Sequence, residues 1–369
     1  MAVCEGEVMR DNPLLALKVL GQHVWLDNLS RTLLREGTLQ RLIGEDGIDG
    51  VTSNPAVYQK AFASPCYHDD VARLRGSPLD AGARYESLVI PDIQAACDVL
   101  RPTYVASAGK AGYVSLDVSP ELAYDPVGTE TAARRLHCAV ARDNLLIKVV
   151  ATPAGIRAFE QLTSSGLRVN VTLIFSPRHY EAVAQAYLRG AQRWLDRGGD
   201  AGQLCSVASV FLSRVDTRVD QRLAAIDSPS AQALKGRSGV ALAKRCYARY
   251  QEIFHGPAFA ALARAGVWPQ APLWASTGSK NSADSDALYV EPLIGPETVT
   301  TLPDATLAAF RQHGRATTTL APGLDAVQTH IQALAALGID LDDVGESLQT
   351  EGVRLFAEAY EKSVAEFRD

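Results

Sequence analysis

Apolar and polar positions alternate between two patterns along this chain. Short runs rich in β-branched residues, apolar on both faces, are separated by longer stretches with apolar positions at helical spacing. The first run, His23–Asp27 (HVWLD), leads into a predicted helix over Asn28–Ile43 (NLSRTLLREGTLQRLI). Runs at Gly47–Ser53, Tyr113–Ser119, Leu145–Ala151, Val169–Phe175 and Cys205–Leu212 predict strands two to six. Pro272–Thr277 and Thr298–Pro303 predict the seventh and eighth. Asn54-Pro55 stops the second strand and puts proline in the first turn of a helix. Helices are also expected over Ala83–Leu100 and Gly128–Arg142, with Leu307–His313, Leu324–Leu337 and Val353–Phe367 packing outside the sheet. Asp227–Gly266 exceeds one ordinary crossover and predicts a polar loop and a long helix over Val240–Ala265.

Eight strand–helix units of this kind predict an α/β chain with a closed parallel sheet. The expectation is a single (β/α)8 TIM barrel domain over residues 1–369, with extra C-terminal helices and a helical insertion after strand six at 227–266. No GxGxxG follows the first strand and no GxxxxGK[ST] occurs, which removes support for a nucleotide-binding open sheet.

Composition narrows the partners. The 369 residues are 47% hydrophobic, enough for a core without staples, and 36 Lys and Arg against 42 Asp and Glu give a net charge of −6. No dense basic block is present, so neither nucleic acid nor an anionic membrane is the expected main partner. The N-terminus lacks a basic-then-apolar signal and no apolar run approaches about 20 residues, so a cytoplasmic protein is expected. Six scattered cysteines without a CxxC predict reduced thiols. The seven histidines show no i, i+4 pair, so no metal is expected. Asn281–Asp286 (NSADSD) lacks the Gly and Glu of a calcium loop and reads instead as a helix start near a substrate phosphate.

The candidate chemistry lies where strands should be most apolar. Asp27, Asn54, Asp117, Lys148, Thr172 and Ser209 fall near strand C-terminal ends, the face that carries the active site in such a barrel. Any one of them alone could be a satisfied structural group; six converging on one rim point to a site. Lys148 is the sharpest signal, a lysine inside LLIKVVA. Burial disfavours the charged form of a lysine, and a neutral amine can attack a carbonyl to form a Schiff base. A barrel-core ion pair with a carboxylate remains the competing explanation. Asp27 and Asp117 supply the acid/base groups that such chemistry needs. Arg214 and Lys280, with the hydroxyls of Ser209 and Ser276, suit a phosphate or sugar hydroxyls.

These residues sit in segments that resemble the transaldolase family, specifically its longer bacterial type: VWLDNLSR, GVTSNPAVY, NLLIKVVATPAGI, VNVTLIFS and WASTGSKNSADSDALYVEPLIGPETVTTLP. The resemblance runs from about residue 20 to the C-terminus in consistent order. It implies a class I aldolase-type barrel without metal or organic cofactor, transferring a dihydroxyacetone unit between sugar phosphates in the non-oxidative pentose phosphate pathway. It implies Lys148 as the Schiff-base lysine and Asp27 as the acceptor of the C4 hydroxyl proton. Asn54 and Asn170 would bind the dihydroxyacetone portion, and Thr172 would position a catalytic water. Ser209 and Phe211 would form the strand-six wall, Arg214 would hold phosphate, and Lys280 would stand where shorter members carry a second phosphate-binding arginine. Asp117 stands where the family usually has glutamate, one methylene longer, which predicts slower Schiff-base formation or release. A class I aldolase releasing free dihydroxyacetone, and a sugar-phosphate-binding barrel without turnover, are the alternatives. A monomer and a homodimer both remain open.

Overall fold

The computed structural model describes residues 12–226, 228–280 and 284–368. Eight parallel strands form a closed barrel: β1 (Gln22–Leu26), β2 (Gly50–Thr52), β3 (Tyr113–Asp117), β4 (Leu145–Val150), β5 (Val169–Ile174), β6 (Ser206–Phe211), β7 (Ala271–Ala275) and β8 (Thr298–Leu302). Each strand overlaps one run predicted from the sequence. β8 pairs in parallel with β1, from Gln22 opposite Thr298 to Leu26 opposite Leu302. β4, β5 and β6 are buried along their whole length, which is why they read as continuous apolar runs.

A repeated local device turns strands into helices at the barrel rim. Asn54, Thr152 and Ser176 each precede a proline, and each side-chain oxygen accepts from a backbone N–H three residues on, at 3.0–3.1 Å. The capping oxygen satisfies an orphan amide, and proline sets the first helical turn without needing a donor. The chain therefore leaves β2, β4 and β5 abruptly and keeps their last side chains at the rim.

Four expectations need correction. The Asn28–Ile43 stretch is two helices, Arg31–Arg35 and Thr38–Asp46, because Gly37 takes a left-handed φ of +69° that breaks the helical path. The long helix over Val240–Ala265 is likewise two, Ser238–Phe254 and Ala260–Arg264, separated at Gly256-Pro257, where proline removes a helical donor. Asp227, at the start of the proposed insertion, lies outside the described residues, as do Asn281–Ala283. Residues 284–290 form turns and a bend, so no helix start is seen in the described part of NSADSD.

The largest correction concerns the chain's end. The last helix spans Leu341–Ala365 and lies across the mouth of the barrel rather than outside it. Gly345 and Gly352, two turns apart on one face, let it approach closely. A Cβ at Gly345 would sit 2.8 Å from the Ser176 side chain, and one at Gly352 3.2 Å from Leu173. Between them, Gln349 Nε2 donates to the carbonyls of Ala151 (2.9 Å) and Leu173 (3.1 Å). Ala151 follows β4 and Leu173 sits in the irregular stretch of β5, so the helix satisfies buried acceptors while it covers the mouth.

Candidate active site

A cavity of about 700 Å³ opens at the C-terminal ends of the strands. Asp27, Asn54, Lys148, Thr172, Ser209, Phe211, Arg214, Ser276 and Lys280 line it. Asp117 and Asn170 do not; each reaches it through a neighbour.

Lys148 stands in mid-strand on β4, buried on all sides but the cavity. Its Nζ donates to the Ser53 carbonyl at 2.8 Å and lies 3.5 Å from Asp117 Oδ1. The Ser53 hydroxyl in turn donates to the Ser115 carbonyl at 2.8 Å, fixing the segment that presents the acceptor. The amine is thus tied on one side to a neutral carbonyl, with Asp117 at ion-pair distance and Asp27 close enough to feel its charge. Such an arrangement orients the nitrogen toward the cavity without enclosing it in charge.

Asp117 ends β3, opposite Lys148 in the β3–β4 register. Burial pushes its carboxyl up to about 6; the Lys148 amine opposes that rise and Asp27 adds to it. Asp27 follows β1 and is also raised, first by burial and against the pull of Lys148. Its carboxylate is 3.4 Å from the Asn54 amide. Because the Asn54 oxygen caps the helix Pro55–Ala61, only its NH₂ faces the carboxylate, so this asparagine both starts a helix and orients an acid.

On β5, Thr172 Oγ1 is buried with no hydrogen-bond partner among the described residues. The next residue, Leu173, has φ +60°, and the β5–β6 register shifts between Val171 and Ile174. A left-handed leucine is costly backbone geometry, and this one bulges the strand beside Thr172. Asn170 lies below, fully buried, donating to Ser115 Oγ at 3.1 Å and accepting from Ser209 Oγ at 2.7 Å. It locks β3, β5 and β6 together and reaches the cavity through Ser209.

The other end of the cavity is cationic. Arg214, in the first turn of the helix Ser213–Ala224, places its guanidinium 5.7 Å from the Phe211 ring centre. Burial pulls its pKa down, and the charge that faces it, Glu351, opposes the fall. Ser276, with φ +57°, shares a 2.8 Å hydroxyl contact with Ser213 at the start of that helix. Lys280 is exposed at the rim. The cavity is polar and acidic at the lysine and basic about the arginine, a layout that suits an anionic group carried at a distance from a reacting carbon.

The sequence did not point to the last helix as a wall of this cavity. Leu355, Phe356, Ala359 and Lys362 line it, and the Phe356 ring centre lies 5.9 Å from Lys148 Nζ. Gly345 and Gly352 at helical spacing were the available signal, since paired small residues on one face permit close approach. Among the described residues, no group of three or more His, Cys, Asp or Glu could hold a metal ion, and no helix is long and apolar enough to cross a membrane.

A closed (β/α)8 barrel whose polar cavity opens at the C-terminal ends of its strands has the architecture of a barrel enzyme. Residues 24–367 match the family described as Transaldolase/Fructose-6-phosphate aldolase, and the chain belongs to that family. It is 53% identical over 348 residues to a transaldolase of Thiobacillus denitrificans, covering 94% of this chain and 97% of the relative. A transaldolase of Neisseria gonorrhoeae is 47% identical over 350 residues (95% and 97%), and one of Thermobifida fusca 43% over 355 (95% and 96%).

Proposed function

We propose that this enzyme transfers a dihydroxyacetone unit from sedoheptulose 7-phosphate to glyceraldehyde 3-phosphate, giving erythrose 4-phosphate and fructose 6-phosphate. This is the transaldolase step of the non-oxidative pentose phosphate pathway, carried out here in the cytoplasm by a monomer or homodimer. The observation that carries the reading is Lys148, buried at the cavity floor with Nζ 2.8 Å from a neutral carbonyl and 3.5 Å from a carboxylate.

The Lys148 nitrogen lone pair attacks the ketose carbonyl carbon, and the resulting carbinolamine loses water to give an iminium. Asp117 moves the proton for that loss, through a water for which the unpartnered Thr172 hydroxyl offers a site. The Asp27 carboxylate then takes the C4 hydroxyl proton. The C3–C4 bond breaks, its electrons flow into the iminium to form an enamine, and the aldose leaves as an aldehyde. An incoming aldose phosphate accepts the enamine carbon, Asp27 returns its proton, and water releases the ketose. Asn54 and Ser209, the latter held by Asn170, bind the dihydroxyacetone hydroxyls against the Phe211 wall. Arg214, assisted by Ser276 and Lys280, binds the phosphate, and that remote binding energy positions the reacting carbon.

The enamine can also be protonated and released as free dihydroxyacetone, the outcome an aldolase would give. The two are separated by supplying fructose 6-phosphate with and without erythrose 4-phosphate. Formation of sedoheptulose 7-phosphate at a rate well above acceptor-free dihydroxyacetone release is expected. Equal release with and without acceptor would replace transfer with the aldolase reading.

A further inference from the structure

Asp117 has a second face. Away from the substrate cavity it borders a separate chamber of about 20 Å³, whose lining includes Tyr58, Tyr85, Ser119 and Tyr360, with Glu86 at one edge. An ordered water needs roughly 10–15 Å³ on this measure and two or more polar partners. The chamber has the volume, and besides the Ser119 hydroxyl two partners stand out.

The first is the Tyr58 hydroxyl, which is buried and makes no hydrogen bond among the described residues. A buried tyrosine hydroxyl normally finds a partner. It cannot swing away, because the ring packs edge-on to Tyr85 at 6.2 Å and tilted against Phe62 at 5.9 Å. The second is the Asp117 carboxylate, whose ion-pair contact with Lys148 engages Oδ1, leaving acceptor capacity on the group. Elsewhere in the molecule the same pairing is made directly: Tyr67 Oη donates to Asp92 Oδ2 at 2.9 Å. At Asp117 no such direct bond is made, and the water-sized chamber borders both residues instead.

We propose that an ordered water in this chamber accepts from the Tyr58 hydroxyl and donates to the Asp117 carboxylate, which makes Tyr58 a positioning residue for the acid/base. The inference rests on the proposed role of Asp117, but its geometry does not depend on any substrate. The water is distinct from one at Thr172, which would sit on the cavity side. Through it, Tyr58 favours the ionised carboxylate, and losing the hydroxyl shifts Asp117 toward its neutral form. The other groups that face Asp117 are Lys148 on β4, Asp27 after β1, Tyr85 and Glu86 on the helix Ala81–Ala106, and Tyr360 on the last helix. Burial pushes Tyr58, Tyr85 and Tyr360 upward, so they stay neutral where Asp117 titrates, and Glu86 is paired with Arg135 at 2.6 Å.

The test is a titration of substrate-free protein labelled with carboxyl-¹³C aspartate, with the Asp117 resonance assigned by its loss in Asp117→Asn. Tyr58→Phe keeps the ring packing and removes only the hydroxyl. Its Asp117 midpoint is expected to rise by about half a pH unit or more, and to do so again in an Asp27→Asn background that removes the coupled carboxylate. An unchanged or lowered midpoint overturns the proposal. Should Tyr58→Phe fail to fold, a high-resolution crystal structure of the unaltered protein decides. Water within about 3.2 Å of both oxygens supports the proposal, and a dry chamber overturns it. Neither measurement involves sugar phosphate turnover, so failure here is separable from failure of the proposed reaction.

Discussion

Two buried carboxylates near the same edge of the barrel use similar partners to opposite ends. Asp92 lies in a closed knot: Arg31 Nε donates to it at 2.9 Å, Tyr67 Oη donates at 2.9 Å, and the Arg31 guanidinium packs 4.5 Å over the Tyr67 ring. Arg31 reaches on to Asp70, so the β1 loop is fastened to two helices. Asp117 also has a cation and a tyrosine nearby, but Lys148 stands 3.5 Å away and Tyr58 makes no direct bond. Arginine stays charged, whereas lysine can give up its proton and become a nucleophile. The difference teaches that burial of a charge pair does not by itself mark a site. An open geometry around a titratable cation, next to a cavity, does.

That contrast can be broken experimentally. The largest effects should come from matched removals. Asp117→Asn is expected to lower turnover by about 10²–10⁴-fold, the usual range for a positioned acid/base, with the fold intact. Asp92→Asn should instead leave the turnover of folded protein near normal and cost roughly 1–3 kcal/mol in denaturant unfolding, because it leaves the buried Arg31 with Asp70 as its one charged partner among the described residues. The reverse pattern would dissolve the distinction.

Next in size is a pH signature. The folded state holds the Asp117 proton up to about pH 6, whereas an unperturbed aspartate releases it near pH 4. Between about pH 4 and 6 the native state therefore binds more protons than the unfolded chain. Stability from this group is full below that window and is lost as pH rises through it, by up to about 3 kcal/mol. Unfolding free energies measured across the window should lose this downward slope in Asp117→Asn. The slope's persistence would assign it to another group.

Smaller still is the effect at the cationic end. Arg214→Ala should raise KM for phosphorylated ketoses about ten- to hundredfold, the worth of a charged hydrogen bond, with a lesser change in kcat. The smallest concerns the carboxylate's length. Asp117→Glu should keep turnover within about tenfold, or roughly 1.4 kcal/mol of barrier; a larger fall would mean that the site is tuned to aspartate.

The strands were legible because β4, β5 and β6 are buried on both faces and carry runs that are apolar on both faces apart from a few polar positions. Lys148 was legible for the same reason, as a charge that such a run should not contain. Gly37 and Gly256-Pro257 were visible in the sequence too, yet periodicity on both sides hid the breaks, since helical spacing resumes in phase after a short interruption. The last helix was misplaced because amphipathicity tells which face is buried, not against what. Only the close approach at Gly345 and Gly352 and the reach of Gln349 to two strand-end carbonyls fix it over the mouth. The chamber behind Asp117 has no sequence signature. Its lining brings Tyr58, from the helix after β2, and Asp117, at the end of β3, to one small space.

The central claim is that Lys148 forms a covalent imine with a ketose phosphate. It is tested most directly by borohydride reduction of the protein with fructose 6-phosphate, followed by peptide mass spectrometry, with Lys148→Met as control. The account predicts a reduced dihydroxyacetone or intact-sugar adduct on Lys148 in the unaltered protein and none in the variant. Unmodified Lys148, or an adduct that persists elsewhere in Lys148→Met, would contradict it.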